Sequence, residues 1–247
     1  MTDPERPLLI TPDMLLGRRV DFERRMRRAP RFTLGLLAVL AVIFVWEVAA
    51  GALDSRRAII EAGALEASRV VAGEYWRLVS ATFLHGGVAH LVGNAVALYI
   101  LGMICEHAFG RSQYLVLYVL SGVGGSLLSL AVSAGPSVGA SGAIFGLQGA
   151  SIVLFRRHRD RLLLRDRRIG VVLLAWALYT IASGVLTPYV DNGAHVGGAL
   201  SGALIARWLH PVVVEPIPQA QAERVRRWTW IVYALLAYAA LGWLLRR

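Results

Sequence analysis

Gly139-Ala140-Ser141-Gly142 and, much later, Ala194-His195-Val196-Gly197-Gly198 decide the reading of this chain. Each opens a stretch apolar enough to cross a bilayer. A polar or titratable group in hydrocarbon is costly, so a serine and a histidine at the mouths of two such stretches mark function by default. As a nucleophile and a base, the two point to hydrolysis inside the membrane.

The bulk composition agrees. The chain has 247 residues, is 56% hydrophobic and has a mean hydropathy of +0.56, too apolar for an ordinary soluble domain. The single cysteine, Cys105, cannot form an internal disulfide, and neither CxxC nor Cys/His metal spacing occurs. All 26 basic residues are arginine, for a net charge of +10. These arginines flank apolar stretches rather than forming a folded basic face, which favours a membrane over a nucleic acid.

Roughly 20 apolar residues cross a bilayer, and fewer suffice where one end is submerged. Seven spans are predicted, at residues 34–50, 88–108, 113–133, 141–155, 169–186, 193–209 and 228–245, so the fold class is an all-α membrane protein. Residues 1–33 read as a basic arm without a signal-peptide pattern. Residues 34–209 read as a six-helix core, 210–227 as a linker with Pro211, Pro216 and Pro218, and 228–247 as a seventh transmembrane helix. Arginine clusters set the orientation. Arg18 to Arg31, Arg156 to Arg168, and Arg207 with Arg224, Arg226 and Arg227 all fall on one face when the amino terminus is cytoplasmic. Residues 53–87 and the loops around Pro136 and Pro188 are then external. The expected location is the inner membrane of a bacterial cell.

Spans two, four and six then all run inward, and each carries its polar residues near its external amino-terminal end. They are His85, His90 and Asn94; Ser141; and Asn192 and His195. Helix amino termini carry unpaired N–H groups and partial positive charge, which suits a developing oxyanion. Span four is the shortest, so its start is submerged and residues 133–140 dip in as a Gly/Ser/Pro loop. Gly142, Gly146 and Ala150 form a small-residue stripe on span four, and Ala194, Gly198, Gly202 and Ala206 form another on span six. Such stripes allow transmembrane helices to approach closely, and docking them would carry Ser141 toward His195. Span three has a comparable stripe, Ser121, Gly125, Ser129 and Ser133, without evident chemistry.

Together these residues resemble the rhomboid family of intramembrane serine proteases. Gly139-Ala140-Ser141-Gly142 is similar to its GxSG motif, and Ala194-His195 with Gly198 and Gly202 to its base-bearing helix. His85-Gly-Gly-Val-Ala-His90-Leu-Val-Gly-Asn94 fits its HxxxxHxxxN pattern, and Trp76-Arg77 its WR pair. The resemblance implies a six-helix rhomboid-like core, a Ser–His dyad in a water-filled cavity, and single-pass transmembrane proteins as substrates, cut near their external ends. Neither a cofactor nor a metal is expected, and the expected surroundings are membrane lipid. No nucleic-acid partner is expected, and the oligomeric state is left open. Phe145 stands where the family has an aromatic against the histidine ring.

Serine needs a base within hydrogen-bond reach, so Ser141 is assigned to attack the scissile carbonyl and His195 to take and return its proton. His90 and Asn94, four apart, share a helix face and are assigned to oxyanion stabilisation with the Ser141 N–H. His85 reads as structural, and a zinc site on His85 and His90 lacks a third ligand. Asp191, four residues before His195, is expected to face the aqueous loop rather than complete a triad. Glu47 reads as snorkelling at the end of span one, Glu106 and Arg111 as a pair at a helix end, and Gln148 as an interhelical hydrogen bonder. Tyr75 and Trp76 read as interfacial aromatics, and Asn192 as a contact to substrate or loop. A transporter would want titratable residues at the bilayer midplane, which the spans lack. A non-catalytic membrane adaptor binding transmembrane clients is the alternative that the candidate dyad opposes.

Overall fold

The seven apolar stretches form seven long helices: α1 (Arg31–Ala49), α2 (Val88–Phe109), α3 (Arg111–Val132), α4 (Ser141–Arg157), α5 (Leu164–Leu186), α6 (Asn192–Ala206) and α7 (Gln219–Leu245). The computed structural model describes residues 19–187 and 190–245, and Arg18, Pro188 and the first 17 residues of the arm lie outside them. Among the described residues there is no strand, only two isolated bridges. Five of the helices, α1, α2, α3, α5 and α7, are long and apolar enough to cross a membrane.

Several helices begin or end beyond the hydropathy reading, for one reason, while α6 stops at Ala206, short of residue 209. Apolar runs stop at charges, but helices continue through them, because Arg, Glu and Gln are good helix formers. Helix α7 thus begins at Gln219, inside the expected linker, and Pro218 starts it by accepting from the Gln221 and Ala222 N–H groups. Helix α5 likewise starts at Leu164 and takes in Arg165 to Arg168. Of the seven long helices the shortest is α6, with 15 residues, rather than α4, which continues through Arg156 and Arg157 to 17.

Helix α4 is the axis of the bundle. Every residue from Gly142 to Ser151 is buried, and α4 packs against α6, α3, α5 and α2. A helix apolar on every side belongs inside other helices. Its contact with α6 is backbone to backbone. A Cβ added to Gly198 would strike the Gly142 carbonyl, and one on Gly202 would strike the carbonyl of Gly146. The two small-residue stripes therefore dock on each other. By contrast α1, α5 and α7 leave much apolar surface outside, including Val42, Val45, Val171 and Leu178, as lipid-facing helices do.

One end of the bundle gathers the arginine-rich segments. Val20 pairs with Leu162 between α4 and α5, the Phe22 N–H donates to Asp166 Oδ2 at 2.9 Å, and the fully buried Phe22 ring meets Phe155 edge-on at 5.2 Å. Arg157 Nη1 donates to the Arg207 carbonyl at 3.1 Å. Glu106 does not pair with Arg111. It accepts from the N–H groups of Phe32 and Thr33, at 3.0 and 2.9 Å, and from the Thr33 hydroxyl at 2.9 Å. That satisfies orphan donors at the start of α1. Gln148 Nε2 donates to the Leu173 carbonyl at 2.9 Å and links α4 to α5, as the sequence predicts.

At the opposite end the segment between α1 and α2 folds into short helices around Arg77. The Arg77 guanidinium is 2% exposed, pairs with Glu74 at 2.7 Å and donates to the Ala64 and Ile60 carbonyls at 2.9 and 2.5 Å. Trp76 is not an interfacial aromatic. It is 4% exposed, because the Gly242 backbone of α7 lies on its ring. Trp243 of α7 donates Nε1–H to the Ala62 carbonyl at 3.1 Å and meets Trp46 of α1 edge-on at 5.1 Å. The seventh helix thus clamps the α1–α2 connection, while Tyr75 stays exposed.

Candidate active site

The amino termini of α2, α4 and α6 converge at that end, as the polar residues of spans two, four and six predict. The loop entering α4 is held on both sides. Leu65 and Ser137 exchange two backbone hydrogen bonds at 2.9 Å, and the Gly139 N–H donates to the Ala81 carbonyl at 2.9 Å. Gly139 has φ +129°, a conformation that L side chains rarely adopt. Its missing side chain also matters, since a Cβ there would stand 2.7 Å from His90 Cε1, 2.8 Å from His90 Nε2 and 3.5 Å from Asn94 Nδ2. A residue with a side chain would therefore push the two candidate oxyanion donors away from the turn that presents Ser141.

Ser141 is the first residue of α4, whose first intrahelical bond runs from the Ile144 N–H to the Ala140 carbonyl. The N–H groups of the first turn are free of intrahelical partners and carry the positive end of the helix dipole. A Cβ on Gly142, the next residue, would lie 3.3 Å from the Ala194 carbonyl and 3.7 Å from the Ala194 Cβ. The immediate neighbours of Ser141 and His195 therefore face each other across the α4–α6 seam with room for no more than a methyl group between them.

The His195 ring stacks on Phe145, one turn along α4 from Ser141, with ring centroids 4.3 Å apart and 15° between planes. His195 is buried, and its Nδ1 has no hydrogen-bond partner among the described residues. Asp191 is occupied elsewhere, though not in the aqueous loop. It caps α6 by accepting from the Ala194 N–H at 2.9 Å, and it turns to α3, accepting from Ser129 Oγ at 2.5 Å and Ser133 Oγ at 2.8 Å. Burial raises its carboxyl pKa, but hydrogen bonds from Ser129, Ser137, Ala194 and Ser133 outweigh this and leave it below the ordinary 3.8. The span-three stripe therefore does more than pack. Ser129 and Ser133, four residues apart, are the signal that an acceptor lies opposite.

Asn94 is 7% exposed, and its Nδ2 has no hydrogen-bond partner among the described residues, leaving a free donor beside Gly139. His90 Nδ1 accepts from the Gly86 N–H at 3.3 Å. A neutral ring so held carries its proton on Nε2, the nitrogen that faces Gly139. His85 is fully buried and meets His90 edge-on at 5.3 Å. Burial, with His90 adding, pushes the His85 imidazole down to about 4. Asn192 Nδ2 donates to the Ile181 carbonyl at 3.1 Å, tying α6 to α5.

Sequence reasoning missed Glu47. It does not snorkel but is completely buried, with both carboxylate oxygens on the His85 N–H at 2.9 and 3.1 Å. The signal was a lone carboxylate inside an otherwise uncharged apolar run from Phe32 to Ala49. Among the described residues no group of three or more His, Cys, Asp and Glu side chains is placed to hold a metal ion.

Comparison with known proteins places this arrangement. Residues 72–212 match the Rhomboid domain family. The chain is 34% identical over 178 residues to the rhomboid protease GluP of Bacillus subtilis (strain 168), covering 72% of this chain and 34% of that protein. It is 33% identical over 208 residues to the rhomboid protease AarA of Providencia stuartii, covering 71% of this chain and 74% of that one. A further relative, 33% identical over 130 residues, is the Inactive RHOMBOID-like protein 8 of Arabidopsis thaliana. The chain spans about a third of GluP's length.

Proposed function

The chain belongs to the rhomboid family, and from that premise we propose that it is an intramembrane serine endopeptidase. It cuts transmembrane-helix substrates near their external ends with a Ser141–His195 dyad, in a multi-pass protein whose arginine-rich end faces the cytoplasm. The observation that carries the reading is the His195 ring stacked on Phe145, one turn from Ser141, with Nδ1 free of any carboxylate. An imidazole fixed by packing alone can take the Ser141 proton and return it to the leaving amine. Asn94 Nδ2, His90 Nε2 and the first N–H groups of α4 supply the oxyanion donors, which stabilise charge as it develops on the carbonyl oxygen. The Gly142–Gly198 contact holds the two reacting side chains on facing helices with little freedom, so the entropy of bringing them together is met at folding.

Inactive relatives exist in the family, so the dyad needs its own test. Purified protein in detergent is incubated with a single-span fusion substrate, and the products are resolved by mass spectrometry. Ser141→Ala and His195→Ala are each expected to abolish cleavage and fluorophosphonate labelling while melting near the wild-type temperature. Cleavage surviving in Ser141→Ala would overturn the assignment. Wild-type protein that binds the substrate without cutting it would instead favour an adaptor for transmembrane clients.

A further inference from the structure

Glu47 stands where a leucine would fill the space without desolvating a charge. Taking a carboxylate out of water costs several kcal/mol unless hydrogen bonds compensate, and among the described residues its side chain bonds to a single group, the His85 N–H. Both its oxygens turn to that one donor from α1, a helix that packs mainly on α2. His85 begins a short turn, His85-Gly86-Gly87, that leads into α2, and Gly87 has φ +142°. Two contacts pass the position of that turn to His90, the Gly86 N–H on Nδ1 at 3.3 Å and the His85 ring edge at 5.3 Å. His90 in turn lies against Gly139, beside Asn94 and two residues before Ser141.

We propose that Glu47 is a positioning residue for oxyanion stabilisation, its carboxylate fixing the His85 backbone and so setting where His90 and Asn94 stand relative to Ser141. This rests on the protease reading above. A displacement of about 1 Å at reacting groups is enough to cost roughly 10²-fold in rate. The amide oxygen of a glutamine accepts the same N–H, so the function resides in the acceptor rather than the charge.

The test measures kcat and KM for Glu47→Leu, Glu47→Gln and Glu47→Met, each normalised to sites titrated by fluorophosphonate so that unfolded protein does not count. Glu47→Leu is expected to lose about 10²-fold in kcat with KM little changed, and Glu47→Gln to restore most of it. In an Asn94→Ala background, Glu47→Leu is expected to cost less, because one of the two donors it positions is already gone and only His90 is left to be displaced. A merely structural role lowers the titrated fraction and the melting temperature but leaves kcat per site intact, and that result overturns the proposal. Additive losses with Asn94→Ala overturn it as well. Should Glu47→Leu not fold, Glu47→Met in the same cycle gives the same decision. Ser141→Ala runs alongside. Its inactivity with an unchanged Glu47→Leu rate sinks the Glu47 role alone, whereas activity surviving in Ser141→Ala sinks the protease reading and this proposal with it.

Discussion

Replacing Asp191 by Asn separates a dyad from a triad, because the two readings place very different amounts of energy on one carboxylate. A triad carboxylate orients the imidazole and stabilises its charged form, and its amide replacement loses about 10⁴-fold in kcat. That is roughly 5.4 kcal/mol of transition-state stabilisation. In this structure the Asp191 oxygens serve Ser129, Ser133 and the Ala194 N–H instead. An Asn at 191 keeps Oδ1, which holds both Ser133 and the cap. It replaces Oδ2 with a donor that the Ser129 hydroxyl accommodates by rotating. The expected loss is about 1.5 to 3 kcal/mol of stability, the worth of one hydrogen bond to a charged group, with less than a tenfold change in kcat. Asp191→Ala is worse for folding, losing about 1 kcal/mol for the cap and about 1 to 3 kcal/mol for each hydroxyl left without an acceptor. Thermal melting in detergent reads the first quantity, and single-turnover cleavage at saturating substrate reads the second. A kcat loss near 10⁴-fold in Asp191→Asn protein that melts within a few degrees of wild type would refute the dyad.

Asn94→Ala should lower kcat by about 10²–10³-fold with substrate binding kept, because one oxyanion donor is removed while His90 and backbone donors remain; an unchanged kcat returns Asn94 to packing. Gly198→Val should destabilise by more than the usual 1 to 3 kcal/mol of overpacking, because the added carbon meets the Gly142 backbone, which no rotamer change can relieve; a wild-type melting temperature would contradict the backbone contact. Acid should weaken the fold through His85, whose pKa is lowered from 6.5 to about 4. Its neutral form contributes stability in full above 6.5, and that contribution is lost as pH falls toward 4, because the unfolded chain binds the proton first. His85→Gln should flatten melting temperature against pH over that window, and a slope identical to wild type would remove His85 as its source.

Much of the architecture is readable from residue order alone, because a bilayer turns apolar run length directly into helices. The α4–α6 seam is legible for a related reason, since small residues at every fourth position have few uses on a helix other than close approach. What stays hidden depends on partners far apart in sequence. Nothing near Glu47 announces that its carboxylate meets the His85 backbone, and nothing near Trp76 announces that Gly242 will cover it. The serines of α3 carry no sign in their own segment of Asp191, the acceptor opposite them. Pro218 and the charged start of α7 show the remaining gap, where hydropathy marks the edge of the hydrocarbon and not the end of the helix.

The helices carrying Ser141 and His195 are 17 and 15 residues long and are absent from the five that satisfy length and apolarity for crossing a membrane. Helix α4 is ringed by protein and has no lipid thickness to match, so it is free to be short and glycine-rich, and α6 docks its glycine face on it. A search that measures spans against the bilayer therefore discards the helices of the proposed dyad first. It would also join α3 to α5 directly, which puts the Arg156–Arg168 cluster on the side of the membrane opposite the amino-terminal arginines. In chains of this kind, two arginine clusters left on opposite sides are the sign that a short helix has been overlooked.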